Sequence, residues 1–194
     1  MAALDALEIV MGYNGHQNAY DEMIYENYSN VMLSTPTNEE SFCMLIPDGF
    51  RASGVVMVIS PYVDNINSQI NYLNDANTSA TTITNETEIP EREEIYESFS
   101  HQIFYVTPKM LTQGHEHVRD FIDHLLESEV SLVVIERANF MTHNNFFRET
   151  FPVLRDVRRN YPNIPWMAIT NASYEDNHRI ATALSMHNPL IVDH

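Results

Sequence analysis

Five short apolar runs restrict what this chain can fold into. Val55-Val56-Met57-Val58-Ile59, Ile103-Phe104-Tyr105-Val106, Leu132-Val133-Val134-Ile135, Trp166-Met167-Ala168-Ile169 and Val31-Met32-Leu33 are all too short for a helix. None alternates with polar residues, which is the pattern of a strand buried on both faces. The segments between them have helical length and spacing. Ile66, Ile70 and Leu73 mark one helix, and Val118, Phe121, Ile122 and Leu125 mark another over His115 to Glu127. Phe146 to Asn160 reads as helical, with Pro152 tolerated only if the helix begins near it. Tyr174 to Met186 gives a last helix before Pro189. Ala2 to Met11, Asn18 to Tyr28, Glu91 to Phe99 and a segment opening at Ser41 read as further helices, and Asn74 to Pro90 as a short edge strand and a loop. Strands alternating with helices predict an α/β fold: an open, mainly parallel sheet with helices on both faces. No repeat, linker or composition break divides residues 1–194, so one domain is expected.

Charge narrows the function classes. Ten Lys and Arg stand against 27 Asp and Glu, a formal charge of −17. Nucleic-acid affinity rests largely on neutralising phosphates with cations, so direct nucleic-acid binding is not expected. A basic protein partner, or a second copy of the chain, fits better. The acidic run Glu86, Glu88, Glu91, Glu93 and Glu94 is a solvated helix face or a dock for a basic segment. Cys43 is the one cysteine and reads as a core thiol in a reducing compartment. No apolar run approaches the roughly 18 residues of a membrane span, and an intracellular protein is expected. His115, Glu116, His117, Asp120, Asp123 and His124 carry metal-type side chains, but a solvated helix start explains them. No Ser-His-Asp arrangement is legible, and no metal or cofactor is expected.

The stretch Val31 to Pro47 joins a strand, a tight loop and a helix, the order in which P-loop proteins hold a triphosphate. Here the loop is Asn38-Glu39-Glu40 before Ser41, without glycine or lysine. It reads as a nucleotide site closed by carboxylates.

Along its whole length the chain resembles the first RecA-like lobe of RecQ DNA helicases. Tyr13-Asn14-Gly15-His16-Gln17 resembles the F-R-P-x-Q element, whose glutamine reads adenine in that family. Pro36-Thr37 through Ser41-Phe42-Cys43-Met44-Leu45-Ile46-Pro47 resembles P-T-G-G-G-K-S-L-C-Y-Q-I-P with one loop residue missing. Ser60-Pro61-Tyr62-Val63 with Gln69-Ile70 resembles S-P-L-I-S-L-M-x-D-Q-V, and Thr107-Pro108-Lys109-Met110-Leu111 resembles A-P-E-R-L. Glu136-Arg137-Ala138-Asn139 stands where D-E-A-H belongs, and Phe147-Arg148 where the aromatic-rich loop carries F-R. Tyr161 to Thr170 is similar to F-P-x-L-P-x-M-A-L-T, and Asn188-Pro189-Leu190-Ile191 to the lobe's end.

The departures shape the functional expectation. In active relatives the P-loop lysine meets the β/γ-phosphates, the serine hydroxyl holds Mg²⁺, and the D-E pair supports metal and water. Here Glu40 replaces the lysine, Glu136 the aspartate and Arg137 the glutamate. A like charge about 4 Å from the nucleotide opposes binding by roughly 4 kcal/mol at an effective dielectric near 20. The resemblance implies a degenerate nucleotide site at Gln17, Asn38, Glu39, Glu40, Ser41, Glu136 and Arg137; the reciprocal swaps at Glu40 and Arg137 leave two readings open, a pairing of Arg137 with Glu39 or Glu40 across the site and independent drift at a dispensable site. It covers one lobe, so a motor is not expected of this chain alone. The expectation is a chain that is not an enzyme: a nuclear protein-interaction module in genome maintenance or chromatin biology. Phe140, Met141, Phe146 and Phe147 are its candidate partner-binding residues. The alternatives are a residual ATP- or DNA-binding lobe within a larger complex, and an acidic decoy of nucleic acid.

Overall fold

The computed structural model describes residues 30–34, 54–85, 87, 93, 95, 102–143 and 150–193. The expected helices over 2–11, 18–28 and from Ser41, and most of Glu91 to Phe99, lie outside the described residues.

Among the described residues, seven strands form one sheet. They are β1 (Asn30–Ser34), β2 (Val55–Ile59), β3 (Ala80–Thr82), β4 (Ile103–Val106), β5 (Val130–Ile135), β6 (Trp166–Thr170) and β7 (Leu190–Asp193). Their order across the sheet is β3-β4-β2-β5-β6-β1-β7, and every pairing is parallel. Six helices are described: α1 (Val63–Asp75), α2 (Pro108–Gln113), α3 (Glu116–Ser128), α4 (Ala138–His143), α5 (Thr150–Asn160) and α6 (Tyr174–Ala183). The five apolar runs are β1, β2, β4, β5 and β6, and each central strand is buried along its core positions.

Because successive strand side chains point to opposite faces, each run feeds two cores. Met57, Phe104, Val133 and Trp166 pack with Met110 of α2, Phe121 of α3, Leu154 of α5 and Ile180 of α6. Val56, Val58, Tyr105, Val134 and Met167 pack on the other face with Ile66 and Leu73 of α1. Phe104 and Phe121 meet edge to face, their ring centres 5.2 Å apart. The Thr-rich segment supplies β3 at one edge of the described sheet, where Thr82 Oγ1 donates to the Tyr105 carbonyl at 2.8 Å.

Three details correct the sequence reading. Thr107-Pro108-Lys109-Met110-Leu111, given only as a motif resemblance, is a helix start: the Thr107 hydroxyl accepts the Met110 N–H at 3.2 Å, and Pro108 takes the first position of α2. The last helix ends at Ala183 rather than Met186, because Ser185 turns to φ 54° and the Met186 N–H returns to the Ala181 carbonyl at 2.8 Å. Asn188-Pro189-Leu190-Ile191, expected only as the lobe's end, leads into a strand, Leu190–Asp193, that pairs with β1. Pro152 is the third residue of α5, where a missing N–H costs little.

Candidate functional site

In a parallel sheet, ligands meet the carboxyl ends of the strands. Three neighbouring strands bring Ser34 of β1, Thr170 of β6 and Glu136, the residue after β5, to one rim. The Ser34 hydroxyl donates to the Ala172 carbonyl at 3.4 Å, and the Ala172 N–H donates to Thr170 Oγ1 at 2.9 Å. These bonds bind the chain leaving β6 to the end of β1. Glu136 is only 2% exposed, and its N–H donates to the Ile59 carbonyl of β2 at 3.0 Å. Ser60, next along β2, is buried as well, and its N–H donates to the Val106 carbonyl at 3.0 Å.

Arg137 has a left-handed backbone, φ 49°. Its guanidinium carbon lies 5.6 Å from the centre of the Tyr62 ring. Tyr62 meets Phe140 edge to face with ring centres 5.7 Å apart. Tyr62 follows β2, which borders β5 on the side away from β6 and β1. Glu39 and Glu40, its expected partners, lie outside the described residues, as do Gln17, Asn38, Ser41, Cys43, Phe146 and Phe147. Of the candidate partner-binding residues, Phe140 is half-buried against the larger core, and Met141 lies within α4.

The structure thus brings together Glu136, Arg137 and Phe140. Sequence reasoning gave Ser34, Thr170 and Tyr62 no role, although the polar residues closing the runs V-M-L-S and M-A-I-T carried a signal. Asn177 was missed entirely: it is 0% exposed on α6, and neither amide atom has a hydrogen-bond partner among the described residues.

Elsewhere, α3 carries Glu116, Asp120, Asp123 and Glu127. Burial raises the Asp123 pKa, and the charges of Asp120 and Glu127 add to it. Burial also raises that of Tyr161, with Asp123 and Glu127 contributing. The His115 and His117 rings lie 5.6 Å apart, tilted at 56° to each other. Among the described residues no three His, Cys, Asp or Glu side chains are placed to hold a metal. No described helix is long and apolar enough to cross a membrane.

No family model matches the chain. It is 28% identical to the ATP-dependent DNA helicase RecQ of Bacillus subtilis over 179 residues, covering 86% of this chain and 29% of that protein. It is 22% identical to the ATP-dependent helicase Sgs1 of Saccharomyces cerevisiae over 154 residues, covering 75% of this chain and 11% of that protein. The chain therefore spans less than a third of these relatives' length. Among solved structures, Mss116p bound to ssRNA and AMP-PNP matches with a TM-score of 0.71 at 11% identity, over 98% of this chain and 41% of that one. The DUF1998 helicase MrfA bound to DNA and AMPPNP matches with a TM-score of 0.70 at 17% identity, over 94% and 27%. One expectation is overturned here. The chain was expected not to be an enzyme, yet its relatives are named ATP-dependent helicases, which are enzymes, and nothing in the described residues shows this chain to be inactive. In sequence and in fold, the chain is similar to one RecA-like lobe of the RecQ-type helicases.

Proposed function

We propose that this chain serves as a RecQ-type helicase lobe working inside a larger assembly, with a nucleotide pocket of altered charge. One observation carries the reading: Ser34, Thr170 and the buried Glu136 share the carboxyl rim of three adjacent parallel strands. That rim is where an open α/β sheet takes its ligand. A buried carboxylate there suits a divalent cation accompanying a phosphate. Glu40 and Arg137 change the charge presented to that ligand, so binding by the isolated chain is weak, and neighbouring subunits supply missing contacts. An intracellular, nuclear setting belongs to the same proposal.

A second reading is a protein-interaction module for a basic partner, favoured by the charge of −17 and by Glu40 at the lysine position. A thermal-shift titration with Mg·ATP separates the two. A Kd near 1 mM gives about 1.4 kcal/mol at about 10 mM ligand, a rise of roughly 3–5 °C. A saturable rise of that size supports the helicase-lobe reading. A flat titration, with GTP and ATP alike, overturns it in favour of the interaction module.

A further inference from the structure

Tyr62 and Phe140 have no part in that reading, and Arg137 enters it only through its charge. We propose that these three side chains form a clasp that transmits a contact made on Tyr62 to the strand end bearing Glu136. The clasp rests on the geometry of the described residues and not on nucleotide binding, so either can fail without the other.

Two turns leave the same rim side by side. One runs from β2 through Ser60 and Pro61 to Tyr62, the residue that caps α1. The other runs from β5 through Glu136 and Arg137 into α4. The backbones are joined where the Glu136 N–H meets the Ile59 carbonyl at 3.0 Å. Beyond that bond, the side chains of Tyr62, Arg137 and Phe140 take over. The Tyr62 ring receives the Arg137 guanidinium at 5.6 Å and the Phe140 ring at 5.7 Å, so it is the common member of both contacts.

Arg137 needs such support. A non-glycine residue at φ 49° is held against its own backbone preference, and persists where its surroundings fix it. Its carbonyl accepts the Phe140 N–H at 2.9 Å, so the start of α4 turns on the same residue. Displacing Tyr62 removes support from Arg137 and Phe140 together. The peptide that shifts first is the one that orients Glu136. Exposure gives the device its direction: Tyr62 is 39% exposed and within reach of a binding partner, whereas Glu136 is 2% exposed and is not.

Amide hydrogen exchange on the unliganded chain tests this. Tyr62→Ala and Arg137→Gln are each expected to speed exchange in peptides spanning 133–143 by about five- to tenfold, the size of a ring pair plus a cation–ring contact. The double variant is expected to add little to either single one, because both remove one unit. Tyr62→Phe keeps a ring and is expected to keep protection. Tyr72→Ala, on the exposed side of the same helix, is the control and is expected to leave these peptides unchanged. Exchange in Tyr62→Ala within about twofold of the parent overturns the clasp. So do multiplicative effects in the double variant, loss of protection in Tyr62→Phe, or an equal rise in peptides over 103–111, which marks general unfolding.

Discussion

Arg158 is the strongest test of what holds this sheet together at the end opposite the candidate site. It projects from α5, and its Nη2 donates to the Asn30 side-chain carbonyl at the start of β1. Its Nε donates to the Ser185 carbonyl at 3.1 Å, in the turn after α6. Its guanidinium carbon sits 5.4 Å from the centre of the Trp166 ring, at the start of β6. Asn30 in turn donates to the His187 carbonyl at 2.9 Å. One cation thus ties α5, β1, β6 and the turn leading towards β7. Hydrogen bonds to a charged group contribute about 1.5–3 kcal/mol each, and a cation over a tryptophan about 0.5–2 kcal/mol. Desolvation opposes them and lowers the arginine pKa. The balance for Arg158→Ala is a loss of about 2–4 kcal/mol. Arg158→Met keeps the apolar stem against Trp166 and loses about 1–2 kcal/mol less. Arg158→Lys keeps the charge but loses the planar fork, and falls between the two. Urea unfolding reads these differences directly: with a slope near 2 kcal/mol/M, the Ala variant moves the midpoint down by about 1–2 M. A shift under about 0.25 M for Arg158→Ala refutes the account of this tie.

Further predictions concern packing and charge. At Gly54 an added Cβ would clash with the Glu129 carbonyl oxygen, the same oxygen that accepts the Val55 N–H. Gly54→Ala should therefore cost about 1–3 kcal/mol in chemical unfolding, and an unchanged midpoint contradicts this. Asn177→Leu removes two buried, unpaired amide atoms at similar volume, so stability should rise by about 1–2 kcal/mol; a lowered Tm shows that the amide has a partner in solution. Asp123 has a raised folded-state pKa, so its protonated form is favoured by folding. Its contribution is present at acid pH and is lost as pH rises through the folded value. Asp123→Asn is therefore more stable than the parent at pH 7. That advantage should shrink on acidification and vanish below the unfolded value of 3.8. An advantage independent of pH contradicts the assignment.

The central strands were legible because a parallel strand covered on both faces must be apolar throughout, as in Val55–Ile59 and Leu132–Ile135. Helices such as α3 were legible from one apolar face. What escaped were elements whose signal is local and short. The Pro108 helix looks like a strand stop until the Thr107 cap is seen to satisfy its first turn. The apolar part of β7 is brief and follows a proline, and only its pairing with β1 makes it a strand. At the site, the replacement of an acidic residue by Arg137 was plain in the sequence. Its direction was not, because the backbone at φ 49° sends the side chain over Tyr62, 75 residues earlier in the chain. No periodicity records that pairing, nor the burial of Asn177.

Hydrogen exchange with and without Mg·AMPPNP tests the central claim most directly, because it reports where a ligand sits. A helicase lobe with a working carboxyl rim gains protection in peptides ending at Ser34, Glu136 and Thr170 and none around Asn30, Arg158 and Ser185. Unchanged exchange at saturating nucleotide, or protection confined to the opposite end of the sheet, contradicts it.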